Sequence, residues 1–238
     1  MLENKVQVSA IQYGNVKSKQ GKAVDALAIA KLWMISPSRA NNPVRRTTQH
    51  DIRTVMKPLI SRRYPTNYRM LRYPRLLHSL LTDTIIAGTV SNCGNNNAQL
   101  YVTYFGWTPL FPMKLKSDAH ETLPILFKRY GVPPEMIMDN SKEQLSSDFC
   151  KNLRESNFHQ KTIKLHPPWI TAGDINIHEL KRSCSQKMIK TQSQKFLWDH
   201  CAELEACICS CTAHDYYLLD GEVPETVMKG HTVDISTI

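Results

Sequence analysis

Three aspartates, Asp83, Asp139 and Asp174, have the type and spacing to do chemistry. Asp83 sits inside an apolar run from Leu80 to Ile86, Asp139 ends the run that starts at Glu135, and Asp174 follows 35 positions later at the start of a helical pattern. If the two runs are strands lying side by side, Asp83 and Asp139 project at neighbouring positions, and a helix crossing that edge would bring Asp174 to them. Carboxylates so gathered suit Mg²⁺ or Mn²⁺, hard cations that take oxygen ligands. Two such ions about 4 Å apart activate an attacking oxygen and stabilise the leaving oxygen of a phosphodiester. Taken singly, each aspartate reads better as a cap or turn residue. The expectation rests on the set.

The elements that must position these acids are legible in the pattern. Residues 23–33 predict a helix, and a second one starts at Ser36-Pro37, with serine as N-cap and proline at the first helical position. The pair resembles a helix-turn-helix, and a two-helix packing module reads the same residues as well. Leu80–Ala87, Ala98–Phe105 and Leu110–Leu115 predict three strands, with Gly106 and Pro109 setting the second turn. Asp118 and Glu121 predict a capping box opening a helix whose face is Leu123, Leu126, Phe127 and Tyr130, stopped at Gly131-Val132-Pro133-Pro134. After the strand that ends at Asp139, residues 144–155 predict a helix, 158–165 a strand, and 174–189 and 196–212 two more helices. That order is mixed α/β, one sheet covered by helices.

Charge is divided unevenly. Residues 1–75 hold 15 Lys+Arg against 3 Asp+Glu, a net +12, whereas residues 76–238 hold 15 against 18, a net −3. A basic arm on a mildly acidic body favours a polyanionic partner such as nucleic acid. Arg62, Arg63, Arg69 and Arg72, interleaved with Tyr64, Tyr68 and Tyr73, suit phosphate contact and base stacking. An extended basic linker is the plain alternative. No apolar run reaches the roughly 18 residues of a membrane helix, and the start lacks a signal-peptide pattern. A soluble, intracellular protein with no membrane partner is expected. Seven cysteines between Cys93 and Cys211, without even spacing, read as reduced thiols. His200, Cys201, Cys207, Cys209, Cys211 and His214 crowd one segment, but positions 207, 209 and 211 of its predicted helix point in different directions, which does not favour zinc.

Several stretches together resemble the catalytic core of retroviral and retrotransposon integrases, and more narrowly copia-type retrotransposon polyproteins. They are Thr82-Asp83-Thr84, the aromatic run from Tyr101 to Trp107, Gly131-Val132-Pro133-Pro134 leading to Asp139, and Pro168-Trp169 followed by Asp174 and Glu179-Leu180-Lys181-Arg182. The resemblance runs from Ala30-Lys31-Leu32-Trp33 to Pro224-Glu225-Thr226, with Gly230 and Asp234-Ile235-Ser236 similar to the piece that closes such cores. It implies an RNase H-like fold, a mixed five-stranded sheet flanked by helices, and a two-metal site that trims 3′ ends of DNA and joins them to a target. In that scheme Asp83 and Asp139 take the two aspartate roles and Asp174 the glutamate role, with a side chain one methylene shorter. Glu179, five residues along the helix, faces away from Asp174. Lys181, Arg182, Lys187 and Lys190 would contact DNA phosphates.

The resemblance divides the chain into a loose leader (1–22), a basic helical pre-integrase region (23–75), the core (76–195) and a helical extension (196–238). The family's upstream His/Cys zinc module has no counterpart, since His50 is the one histidine before residue 76 and no cysteine precedes Cys93. The resemblance further implies DNA ends and target DNA as partners, homo-oligomers, a nuclear location if the protein is functional, and a fragment of a longer polyprotein. The Asp174 replacement and the residues Ile170-Thr171-Ala172-Gly173 fit a degenerate copy. Two further readings stay open, a nucleic-acid-binding remnant without catalysis and an RNase H-fold nuclease acting on RNA–DNA hybrid.

Overall fold

The computed structural model describes residues 25–47, 53–54, 75–138, 144–156, 159–162, 172–212, 219–233 and 235. In chain order the elements are α1 (Ala26–Trp33), α2 (Pro37–Arg46), β1 (Arg53–Thr54), β2 (Leu80–Ile86), β3 (Asn97–Val102), β4 (Leu110–Met113) and, after a 3₁₀ turn at Lys116–Asp118, α3 (Ala119–Arg129). There follow β5 (Glu135–Met138), α4 (Ser147–Glu155), β6 (His159–Thr162), α5 (Ala172–Lys190), a 3₁₀ turn at Lys195–Leu197, α6 (Trp198–Cys211), α7 (Pro224–Lys229) and β7 (His231–Thr232).

The larger sheet runs β4-β3-β2-β5-β6. β2, β3 and β4 form an antiparallel meander, while β5 lies parallel to β2 and β6 parallel to β5. The three-stranded meander needs only short turns, whereas the parallel pairs β2–β5 and β5–β6 are crossovers spanned by α3 and α4. β3 is buried along its whole length, as a strand covered on both faces must be.

Because successive strand residues point to opposite faces, the sheet has two separate cores. On one face Leu80, Tyr101, Phe111, Met113, Met136 and Met138 pack against Leu123, Leu126 and Phe127 of α3 and Phe149 and Leu153 of α4. On the other, Ile85, Ala98, Leu100, Val102 and Leu110 pack against Ile177, Leu180 and Cys184 of α5 and Trp198, Ala202 and Ala206 of α6. The apolar spacing 177, 180, 184 is a helical stripe, so α5 is held to the sheet by one face.

Ser36 caps α2 as its position predicts, its hydroxyl accepting from the Arg39 amide at 3.3 Å. The capping box expected at Asp118 and Glu121 is not formed. A 3₁₀ turn precedes α3, and the Asp118 carboxylate turns back to accept from the Leu115 amide at 2.9 Å. The helix stops where expected, with Tyr130 as C-cap and Gly131 at φ +123°, a conformation that disfavours a side chain.

α1 and α2 do not stand apart. Ile29, Ala30, Trp33 and Ala40 form a third cluster with Ile208, Cys211, Val223 and Ile235, and β1 pairs antiparallel with β7. The helix pair is therefore packed against the end of α6 and against Val223 and Ile235.

Just before β2, His78 lies edge-on to Phe105 at 4.8 Å and to Tyr104 at 6.0 Å. Burial pushes its imidazole below the ordinary value. The unfolded chain then binds more protons than the folded one, so this contribution is present above about pH 6.5 and lost as pH falls below it. His78→Phe should therefore flatten the decline of the urea midpoint between about pH 7 and pH 5 relative to the parent protein. An unchanged slope would show that the ring titrates alike in both states.

Candidate metal and nucleic-acid site

Asp83 sits in β2, the middle strand of the larger sheet, opposite Leu100 of β3. It alternates with Ile85, so it belongs to the face that α5 and α6 cover. It is only partly buried. The Thr84 amide donates to its Oδ1 at 2.7 Å.

The strand beneath it is locked by a polar ladder on the opposite face. Gln99, fully buried, donates from Nε2 to the Thr82 hydroxyl and accepts at Oε1 from the Thr84 hydroxyl at 2.9 Å. Thr82 in turn donates to the Leu100 carbonyl at 3.1 Å. Gln144, also fully buried, donates to the Thr82 carbonyl at 3.4 Å. Buried amide groups cost about 1–3 kcal/mol each when unpaired, so these bonds fix the β2–β3 register at the position of the acid. Nothing in the sequence reading singled out Gln99. The available signal was a polar residue flanked by Ala98 and Leu100 in an otherwise apolar strand.

β5 approaches from the other side. Thr82 is the register partner of Met138, so the residue before Asp83 and the residue before Asp139 are neighbours. Asp139 itself lies outside the described residues. Asp174 belongs to the first turn of α5, one turn before Ile177, which is buried against the sheet.

The basic residues divide into three groups. Arg62, Arg63, Arg69 and Arg72 lie outside the described residues. Lys181, Arg182 and Lys190 are exposed on α5, and Arg182 forms an ion pair at 2.7 Å with Glu179, one turn before it. Glu179 is thus a surface residue, as expected from its angle to Asp174. Lys187 is a correction. Expected to meet phosphates, it is 8% exposed and forms an ion pair with Glu205 of α6, itself 4% exposed. It occupies the position after Ile177, Leu180 and Cys184 on the inward stripe, and only a partner of opposite charge makes that burial tolerable.

All seven cysteines are free thiols. Among the described residues no helix is long and apolar enough to cross a membrane.

No family model matches the sequence, and no curated protein does. Solved structures of retroviral integrases match part of this chain. One is a chain of the simian T-cell lymphotropic virus intasome in complex with the PP2A regulatory subunit B56 gamma, with a TM-score of 0.49 and 14% identity over 64% of this chain. This chain spans about half of that one, 55%. The catalytic core domain of BIV integrase gives 0.49 at 12% identity over 63% of this chain and 93% of its own. The HTLV-2 integrase catalytic core domain, solved with magnesium in a trimeric form, gives 0.47 at 12% identity over 63% and 95%.

Proposed function

We propose that this chain contains an RNase H-like, integrase-type core that processes and joins DNA 3′ ends with the help of Mg²⁺ or Mn²⁺, related to the copia-type retrotransposon proteins its motifs resemble. The observation that carries this reading is the placement of Asp83: on the central strand, on the face covered by α5, with β5 in register so that Met138 adjoins Thr82. In this reading Asp139 and Asp174 join Asp83 as metal ligands. The donor set fits hard divalent ions, since all three groups are carboxylates and Asp83 is open enough to reach a ligand. Such ions, when bound, lower the barrier by activating the attacking oxygen and stabilising the leaving one.

The chain's own contribution is positional. The Thr84 amide holds one oxygen of Asp83, and the Gln99 ladder prevents the strand from slipping. Lys181 and Lys190, exposed on α5, supply phosphate contacts, and the arginines of the basic arm extend the track. Holding reactants and ligands in place is the larger part of what such a scaffold gives a phosphoryl transfer.

The test incubates the protein with Mn²⁺ and a branched integration intermediate, beside the Asp139→Asn variant. Cleavage well above that of the variant supports the reading. Binding without such cleavage would leave a nucleic-acid-binding protein, and activity on RNA–DNA hybrid alone would make it a nuclease of the same fold.

A further inference from the structure

A cluster of ligating side chains lies where the loop between β2 and β3 meets the start of α6. Cys93 Sγ stands 3.8 Å from His200 Nε2, and ligand atoms of Cys93, Asp199 and His200 all lie within 4.8 Å of one another. Tetrahedral zinc, with bonds of about 2.3 Å to sulfur and 2.05 Å to nitrogen, places those two atoms roughly 3.6 Å apart. The observed separation needs almost no rearrangement to reach that value.

The surroundings hold each group in place. The Ser91 hydroxyl accepts from the amides of Cys93 at 3.2 Å and Asn95 at 3.0 Å, and the Ser91 amide donates to the Asn95 carbonyl at 2.7 Å. Gly94 turns the loop at φ +83°, and the Asn92 amide donates to the Phe196 carbonyl at 2.8 Å, anchoring it to the turn before α6. Asp199 is 2% exposed, with Oδ2 accepting from Asn95 Nδ2 at 2.9 Å and Oδ1 from the His200 amide at 3.0 Å. Ligating carboxylates are usually hydrogen-bonded in this way by outer partners, here Asn95. Cys93 and His200 are exposed, leaving a face open to water.

We propose that Cys93, Asp199 and His200 bind one zinc ion, with water at the fourth position. Thiolate with imidazole selects zinc over magnesium or calcium, which take oxygen ligands. One thiolate and one carboxylate balance the 2+ charge, and the Cys93 thiol releases its proton to solvent on binding. The ion staples the β2–β3 loop to α6, two segments 107 residues apart in sequence at Cys93 and His200. The histidine belongs to the crowded 200–214 segment, but its partner sulfur comes from the hairpin, which is why spacing within the segment did not reveal the site.

The full chain, stripped of metal by chelator, is titrated with Zn²⁺ against a chromophoric indicator, and Cys93 alkylation is followed by mass spectrometry. One tight zinc per chain is expected. Cys93→Ser and His200→Ala each weaken it at least about a hundredfold, the upper end of what losing an outer support costs, and Asn95→Ala about tenfold. Cys207→Ser, altering another exposed thiol, leaves affinity unchanged, and zinc shields Cys93 but not Cys207 from iodoacetamide. Both altered ligands are exposed, so circular dichroism should show folded variants. No stoichiometric zinc, a loss below tenfold in Cys93→Ser or His200→Ala, or an equal loss in Cys207→Ser would overturn the assignment. None of these readouts depends on DNA joining.

Discussion

Lys187→Met should destabilise the protein by about 3–5 kcal/mol, a large part of the roughly 5–15 kcal/mol that holds a domain together. The pair it belongs to is buried between α5 and α6, with Lys187 at 8% and Glu205 at 4% exposure. Removing the ammonium leaves the Glu205 carboxylate, 4% exposed, without its counter-charge and largely cut off from water. Glu205→Leu should be about as damaging, for the mirror reason. The double change Lys187→Met/Glu205→Leu should recover most of the loss, because a buried pair replaced by apolar groups of similar volume is often neutral or stabilising by about 1–4 kcal/mol. Urea unfolding of both singles and the double gives the coupling directly. Single variants within about 1 kcal/mol of the parent would mean that water reaches the pair after all.

Asp83→Asn should reduce metal-dependent strand transfer about a thousandfold while moving stability by less than about 0.5 kcal/mol. This expectation rests on the integrase-type reading. Asparagine keeps the shape and retains a carbonyl oxygen that can accept from the Thr84 amide, as Asp83 Oδ1 does at 2.7 Å. What it loses is the negative charge, and a carboxylate that holds a divalent ion is worth several kcal/mol to a phosphoryl transfer, at about 1.4 kcal/mol per tenfold in rate. Initial rates on the branched intermediate, with a thermal melt of each protein alongside, separate the two effects. Equal rates in the two proteins would remove Asp83 from the chemistry.

How much of this was legible in the sequence depends on whether the signal was local. β2 announced itself through Thr82, Thr84, Ile85 and Ile86, residues that favour a pleated strand. Ser36-Pro37 fixed the start of α2 to the residue, since a cap hydroxyl and a first-turn proline act within one turn. Asp118 went wrong for the same local reason in reverse: its carboxylate had two nearby amide clients, and the 3₁₀ turn gave it the one behind. Lys187 misled because net charge on a helix was counted without its angle. Read on the stripe of Ile177, Leu180 and Cys184, with Glu205 in the corresponding place beside Ala202 and Ala206, the pair of opposite charges facing inward was there to be found. The meeting of Cys93 with His200 was not, because only the tertiary fold joins a hairpin loop to a helix so far along the chain.

The packing of α1 and α2 against Ile208, Cys211, Val223 and Ile235 bears on how the molecule is made. A ribosome releases Ile29, Trp33 and Ala40 long before Ile208, Val223 and Ile235 exist to cover them, and Arg53 waits equally long for Thr232. Contacts of such high sequence separation form late and slowly. The early helices must therefore spend most of synthesis with their greasy sides bare, the interval in which nascent chains attract chaperones or one another.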